Sequence, residues 1–203
     1  MTQQSMLARR RARGGKGLLP PNPLQWENEH NGLDLRERLG VALDVALRHE
    51  AAFDLLDGVS VTAHSAVPVA QVYVERLRQS RAWSGMCIPL AEGQAWVIYN
   101  DAHPLTRIRA TLMEEYFHLH LGHVPSVLRL LPVDGERRTY KATQEGEAYG
   151  SGAAALAPYS GLRSAIEAGL GVEELAERFD VSCDLILFRA KVTKLHRRLM
   201  SAR

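Results

Sequence analysis

The segment around TLMEEYFHLHLGH, Thr111–His123, restricts the fold more than any other part of the chain. Its spacing predicts a helix over about 105–121 with two apolar flanks on nearly opposite sides, since an α-helix turns by about 100° per residue. The flanks consist of Ala110, Met113, Phe117 and Leu121 on one side and of Ile108, Leu112 and Leu119 on the other. A helix that is apolar on both sides is buried, so the fold has to be built around this segment.

Three ionisable side chains, Glu114, Glu115 and His118, lie between the two apolar flanks. Burial of two carboxylates without a cation or hydrogen-bond donors costs several kcal/mol, so the sequence predicts a positive partner for them. A divalent metal ion is one such partner, because the i, i+4 spacing of 114 and 118 brings two ligands to one ion. The alternative is a buried ion-pair network with Arg107 or Arg109, and this segment alone does not decide between the two.

The other two histidines of the segment are less informative. His120 projects away from the three ionisable side chains and is predicted to lie at the surface. His123 follows Gly122, a residue type that commonly ends a helix, so the direction of its side chain is left open.

A second helix is predicted over about 139–156, in the run TQEGEAYGSGAAALAP, where nearly every side chain near Glu147 is very small. These small residues are Gly146, Ala148, Gly150, Gly152, Ala153, Ala154 and Ala155. An interior glycine destabilises a helix by about 1 kcal/mol relative to alanine, so a packing reason is expected for them. Small side chains let another helix approach closely, and a carboxylate from this helix would then reach the first one.

The remaining elements predict a small α+β domain. Alternating β-branched residues predict short strands in the runs GVSVTAHSAV, GMCIPL and QAWVIYN. Helical spacing predicts further helices over about 33–52, 69–80, 172–179 and 183–199. The order of one helix, a few strands and then several helices is typical of the α+β class.

Basic residues are concentrated at the two ends of the chain, in RRRARGGKG and KLHRRLMSAR. The formal net charge is only +2, so the rest of the chain is acidic and a large nucleic-acid-binding surface is not implied. The run VEELAERFDVSCDLILFRAKVTKL is loosely helix-turn-helix-like, which makes a DNA-binding regulator an alternative. Its second helix begins with Cys183, Asp184, Leu185 and Ile186, a poor surface for bases, so packing of terminal helices is favoured.

Composition also restricts compartment and domain organisation. Cys87 and Cys183 do not form a disulfide framework, and neither a secretory signal nor an apolar run of about 18 residues is present, so we expect a cytoplasmic protein. The Arg-, Gly- and Pro-rich start predicts a disordered tail. We therefore expect a tail, a main domain and a C-terminal helical segment packed on it, over residues 1–24, 25–160 and 161–203.

The segment from Trp96 to Leu195 resembles the ImmA/IrrE family of zinc-dependent endopeptidases. WVIYNDAHPLTRIRATLMEEYFHLHLGH resembles that family's strand, loop and active-site helix. EGEAYGSGAAALAP is similar to its second helix, with Pro158 at the family's distance from Glu147, and GVEELAERFDVSCDLILFRAKVTKL is similar to its closing helices. The resemblance covers about half of the chain, whereas residues 1–90 match only in general character. It implies a small zincin-like domain whose short, few-stranded sheet packs on the active-site helix.

The resemblance also implies roles for individual residues. His118 matches the family's second histidine ligand, Glu147 its glutamate ligand, and Glu115 the general base that takes a proton from the metal-activated water. Glu114 stands where the family has the first histidine of H-E-x-x-H, and Ser151 replaces the usual aromatic residue of the second helix. Carboxylate oxygens also bind Zn²⁺, so the predicted ligands are Glu114, His118 and Glu147.

The expected function is that of a metal-dependent endopeptidase that cleaves a transcriptional repressor of the helix-turn-helix type, or a similar regulatory protein, in a stress response. The expected ion is Zn²⁺, with Mn²⁺ and Fe²⁺ as alternatives because the additional carboxylate favours harder ions. Tyr116, Tyr140 and His196 are candidates for the donor that stabilises the oxyanion. The alternative is a catalytically impaired pseudo-peptidase that acts as a protein-binding module, because extra ligand charge weakens the metal as a Lewis acid.

Overall fold

The described residues of the computed structural model form a three-stranded sheet and a set of helices. The residues described are 23–68, 71–78, 83–123 and 142–201. The strands are β1 (Val59–Ala63), β2 (Gly85–Pro89) and β3 (Ala95–Tyr99). The helices are α1 (Pro23–Leu39), α2 (His49–Phe53), α3 (Gln71–Arg78), α4 (Leu105–His120), α5 (Ala142–Leu156), α6 (Tyr159–Glu167), α7 (Val172–Phe179), α8 (Cys183–Val192) and α9 (His196–Ser201). The predicted α+β class is confirmed.

The chain divides into two compact units. One, the 48–152 unit, contains the sheet, α2 to α4 and the first part of α5. The other, the terminal unit, contains α1 and the residues from Ala153 onward. The expected tail lies almost entirely outside the described residues, and the expected boundary at 160 stays a prediction.

The sheet of the 48–152 unit has the strand order β1-β3-β2. β1 runs parallel to β3, and β2 runs antiparallel to it. The middle strand buries Val97, and Trp96 Nε1 donates to Thr62 Oγ1 of β1 at 2.8 Å. Each strand lies inside a run that was predicted from its alternating β-branched residues, so these three predictions are confirmed.

Helix α4 is the buried helix that the sequence predicted. It begins after Pro104 and ends before Gly122, whose φ of 67° lies in the left-handed region that glycine adopts without strain. Leu112, Met113 and Phe117 are fully buried, and the helix packs against β2, β3 and α2. The two apolar flanks therefore place α4 in the core of the 48–152 unit.

A buried ion pair joins three helices of the terminal unit. Glu29 of α1 accepts a hydrogen bond from the Tyr159 backbone N–H at 2.7 Å and another from Arg189 Nη2. Arg189 Nε also donates to the Ala157 carbonyl at 2.9 Å. Both charged side chains are only 3% exposed, so each has lost its contacts with water. The interaction between the two charges compensates for that loss.

Two predictions about helix bounds are wrong for reasons of backbone conformation. The helix predicted over 33–52 ends at Leu39, because the chain turns at Gly40 with a φ of 64°. The helix predicted over 183–199 is two helices, since Lys194 has a φ of 62° between them. The helix predicted over about 139–156 does end at Leu156, and Pro158 directly precedes α6, a position where its fixed φ suits the start of a helix.

The helix-turn-helix-like run forms α7 and α8, which meet at Asp180 with a φ of 52°. Leu185 and Ile186, near the start of the second helix, are buried. These side chains serve packing and leave few groups to contact bases at that end of the helix. None of the described helices has the length and apolar character that crossing a membrane requires.

Candidate metal centre

Helices α4 and α5 bring one imidazole and two carboxylates together in the 48–152 unit. Glu114 and His118 lie one turn apart on α4, and Glu145 comes from α5. One ligand atom from each residue lies within 4.8 Å of the other two, and His118 Nε2 is 3.6 Å from Glu145 Oε2. Within the described part of the chain, these three residues are the group that is close enough to share a metal ion.

This set of donors fits a divalent cation. Ligand atoms bound to one Zn²⁺ stand about 3–3.5 Å apart, and the 3.6 Å between His118 Nε2 and Glu145 Oε2 is close to this spacing. All three side chains are half-buried, so the two carboxylates repel each other in a medium that screens charge poorly. A cation between them would remove that repulsion.

Gly152 explains how α5 comes close enough to α4 to supply a carboxylate. A Cβ added at this position would lie 3.1 Å from the Met113 carbonyl carbon and oxygen and 3.2 Å from the Glu114 backbone nitrogen. These are backbone atoms of a buried helix, which cannot move aside as the end of a flexible side chain can. The small residues of α5 therefore serve the close helix approach that the sequence predicted.

Substitution of Gly152 by valine is expected to destabilise the protein by about 1–3 kcal/mol, because the added methyl groups overpack the contact between α4 and α5. The matched control is Gly146→Val on the same helix, since a Cβ at Gly146 meets no atom within 4 Å. Urea unfolding of both variants measures the difference. Equal unfolding free energies for the two variants would contradict the role given to Gly152.

The pKa values of the Glu114 and Glu115 carboxyl groups are both raised by their surroundings. Burial and the nearby Glu145 raise the pKa of Glu114 to about 7. Burial, Glu114 and Glu145 raise the pKa of Glu115 to about 7 as well. An arginine partner would lower these pKa values, so the raised values do not support the alternative of an ion pair with Arg107 or Arg109.

Glu115 faces the sheet next to β2. Its Oε1 atom lies 3.6 Å from the position that a Cβ would take on Gly85, the first residue of that strand. Burial and the charge of Glu115 raise the pKa of the neighbouring Cys87 thiol to about 11, so this cysteine is a poor nucleophile at neutral pH. Glu115 therefore lies beside the first residue of β2.

The raised pKa values predict that the metal-free protein loses stability as the pH rises. Carboxyls with a pKa of 4.5 when unfolded and about 7 when folded bind more protons in the folded state between these values, so the unfolding free energy falls across that window. The double variant Glu114→Gln/Glu115→Gln lacks both groups. We expect the stability difference between wild type and this variant to change by on the order of 3 kcal/mol between about pH 5 and about pH 8.

Urea unfolding at several pH values, with a chelator present, measures that difference. The pKa of His118 is lowered, chiefly by burial, but His118 is present in both proteins and its contribution is largely common to them. A stability difference that stays constant with pH would show that the two carboxyls are not perturbed.

Glu147, the glutamate that the family resemblance singled out, contacts a different residue from the three above. Its Oε2 atom lies 3.2 Å from His123 Nε2. His123 Nδ1 in turn lies 3.0 Å from His118 Nδ1. The structure thus joins Glu147 to His118 through His123, while Glu145 lies beside His118 directly.

Glu145 was not among the predicted site residues, and the direction of the His123 side chain was left open. Glu145 precedes Glu147 by two residues on the same helix. The family resemblance matched Glu147 to the glutamate ligand and gave no role to Glu145. His123 is turned back towards α4 by Gly122, and its backbone N–H donates to the His118 carbonyl at 2.9 Å. Gly122 indicated in the sequence that the helix ends there, but a glycine does not specify the direction in which the chain continues.

The other residues singled out in the sequence lie in varied positions. His120 is exposed and stacks on Tyr116, with ring centroids 5.5 Å apart. The Tyr116 ring is fully buried and packs edge-on against Phe53 and Phe117. Tyr140 lies outside the described residues.

The fold and the site together define a small zincin-like domain of the metallopeptidase type. The chain belongs to the Peptidase M78 family, since residues 68–191, more than half of its length, match that family's IrrE N-terminal-like domain. This match confirms the ImmA/IrrE resemblance and indicates a metallopeptidase-type function with a protein substrate. No curated protein and no solved structure matches the sequence.

Proposed function

We propose that this protein is a metal-dependent endopeptidase with Glu115 as its general base. The observation that carries the proposal is the group formed by Glu114, His118 and Glu145, whose ligand atoms lie within 4.8 Å of one another. Family membership over residues 68–191 supports the same class of reaction.

The residues of the site suit peptide hydrolysis. A divalent ion held there would polarise the substrate carbonyl and lower the pKa of the attacking water. Glu115 accepts a proton from that water and delivers it to the leaving amine, which is the role of a general base and then of a general acid. β2 is an edge strand of the described sheet, so an extended substrate chain can pair with it beside Glu115.

The proposed ligands are Glu114 and His118 of α4 and one glutamate of α5. The family resemblance supports Glu147 as that glutamate, and its position beside His118 supports Glu145. The proposed ion is Zn²⁺, with Mn²⁺ and Fe²⁺ as alternatives because two of the three ligands are carboxylates.

The proposed substrate is a regulatory protein, with a helix-turn-helix repressor as the specific candidate. This proposal depends on the family resemblance. The proposed compartment is the cytoplasm, which agrees with the free thiols of Cys87 and Cys183.

Two measurements test the proposal together. Elemental analysis of the purified protein is expected to give about one transition metal per chain, and His118→Ala is expected to lose it. Incubation of the metal-loaded protein with a protease-inhibited cell extract, followed by mass spectrometry of new N termini, is expected to reveal cleavage sites that the variant does not produce.

The second candidate function is a pseudo-peptidase that binds a protein partner without cleaving it. The observation in its favour is Glu114, a carboxylate at the position where the family has a histidine. A metal-free wild-type protein, or the same N termini with wild type and His118→Ala, would favour this candidate over the endopeptidase.

Replacement of Glu114 by histidine is expected to tighten Zn²⁺ binding and to raise peptidase activity by about tenfold or more. The substitution removes one negative charge from the ligand set, which makes the ion a stronger Lewis acid. Isothermal titration with Zn²⁺ and a cleavage assay measure the two effects. Glu114→Gln is the matched control, because it removes the charge without adding an imidazole. Weaker Zn²⁺ binding by Glu114→His than by wild type would show that the site requires a carboxylate there.

A further inference from the structure

Four side chains of the 48–152 unit form a continuous row of polar contacts. Glu147 Oε2 lies 3.2 Å from His123 Nε2, and His123 Nδ1 lies 3.0 Å from His118 Nδ1. At the far end of the row, His118 Nε2 faces Glu145 Oε2 at 3.6 Å. The two imidazoles therefore lie between two carboxylates, one on each side.

The distances decide which ring nitrogen of each histidine carries the proton. A separation of 3.2 Å is a hydrogen bond, whereas 3.6 Å is too long for one. A neutral imidazole carries one N–H, and a carboxylate only accepts. His123 therefore donates from Nε2 to Glu147, which leaves its Nδ1 as an acceptor for the Nδ1–H of His118.

This arrangement leaves the Nε2 lone pair of His118 free and directed at the metal-ligand group. A metal ion binds the unprotonated nitrogen of a neutral histidine, and a hydrogen bond at the other nitrogen fixes that tautomer. With the opposite tautomer of His118, His123 would have to donate from Nδ1, and its unprotonated Nε2 would then face the acceptor oxygen of Glu147. The contact with Glu147 disfavours that arrangement.

The position of His123 is determined by the backbone and by burial. Gly122 turns the chain with a φ of 67°, and the His123 N–H closes the turn on the His118 carbonyl at 2.9 Å. The His123 side chain is only 6% exposed, so water competes poorly for its two nitrogens. The contact between the two imidazoles therefore lies in a protected environment.

We propose that Glu147 and His123 are positioning residues that hold His118 in the tautomer protonated on Nδ1, with Nε2 presented to the ion. In this arrangement Glu145 is the α5 ligand and Glu147 acts through His123. We call the contacts from Glu147 through His123 to His118 the relay. Its significance for metal binding rests on the proposed function, but the tautomer of His118 is a property of the metal-free protein.

Nitrogen NMR of the histidine side chains tests the tautomer without metal or activity. In the metal-free wild type at about pH 8, where histidine is neutral, His118 is expected to be protonated on Nδ1. Glu147→Ala removes the acceptor and is expected to shift His118 towards the Nε2–H form. Glu147→Gln keeps an acceptor oxygen and is expected to restore the wild-type tautomer. A wild-type His118 that is protonated on Nε2 would overturn the relay.

Titration with Co²⁺, followed by visible absorption, separates a positioning residue from a ligand. We expect Glu147→Ala to bind Co²⁺ about 10–100-fold more weakly with an unchanged absorption band, as found for residues that orient a ligand. Glu147→Gln is expected to bind almost as wild type does, whereas Glu145→Gln is expected to lose the ion.

Loss of Co²⁺ by Glu147→Gln together with retention by Glu145→Gln would make Glu147 the ligand and refute the relay, while leaving the peptidase proposal intact. Absence of Co²⁺ and Zn²⁺ binding by wild type would instead refute the peptidase proposal, and the NMR result would still decide the tautomer.

Discussion

Glutamine at position 115 is expected to reduce kcat/KM for peptide cleavage by about 10²–10⁴-fold, the usual contribution of a general base. The amide of Gln cannot accept the proton of the attacking water, although it has nearly the same size and shape as the carboxylate. Glu115 is not one of the three residues whose ligand atoms group together, so the bound metal is expected to stay at the wild-type level. A cleavage assay on the substrate identified from new N termini, combined with elemental analysis, measures both effects.

The control for this variant is Glu177→Gln, which changes an exposed glutamate of α7 in the same way. Its activity is expected to equal that of wild type. Undiminished cleavage by Glu115→Gln would show that another group removes the proton. Loss of metal from Glu115→Gln would show that Glu115 is a ligand, and the roles of Glu114 and Glu115 would then have to be exchanged.

Substitution of Glu29 by alanine is expected to destabilise the terminal unit by about 3–5 kcal/mol. The change leaves the Arg189 guanidinium buried without its carboxylate and removes the acceptor of the Tyr159 backbone N–H. The penalty is large because both charged side chains are only 3% exposed and water cannot replace the lost partner. Chemical denaturation monitored by circular dichroism measures the loss.

Glu167→Ala is the matched control for Glu29→Ala. Glu167 also pairs with two arginines, Arg163 at 2.8 Å and Arg198 at 3.1 Å, but these pairs are on the surface. Exposed ion pairs contribute little to stability, so no measurable shift of Tm is expected. A small effect of Glu29→Ala, similar to that of Glu167→Ala, would show that water enters the buried pair.

The elements that were predicted correctly are those with a strong local signal. The two apolar flanks of α4 required a buried helix, and the small residues of α5 predicted a close helix contact, which Gly152 makes against Met113. The periodicity of one segment was sufficient for α4, and the small size of the side chains was sufficient for α5. The breaks at Gly40 and Lys194 were missed because a left-handed backbone conformation depends on what the flanking helices pack against.

The site was predictable in its chemistry but not in its pairings. The pattern on α4 pointed to Glu114, Glu115 and His118 as an ionisable group, and the structure places them around one buried region. Which carboxylate of α5 lies nearest His118 depends on how α4 and α5 cross and on side-chain rotamers. A single sequence contains neither, so Glu145 went unnoticed.

The close spacing of acidic groups on α4 and α5 has a consequence for the degradation of the protein in a cell. Close carboxylates oppose the folded state until a cation neutralises them, and ligand binding shifts folding in proportion to the logarithm of free ligand concentration. Starvation for the ion would then leave a larger unfolded population exposed to cellular degradation. The supply of the metal would then set how many folded copies of the protein persist.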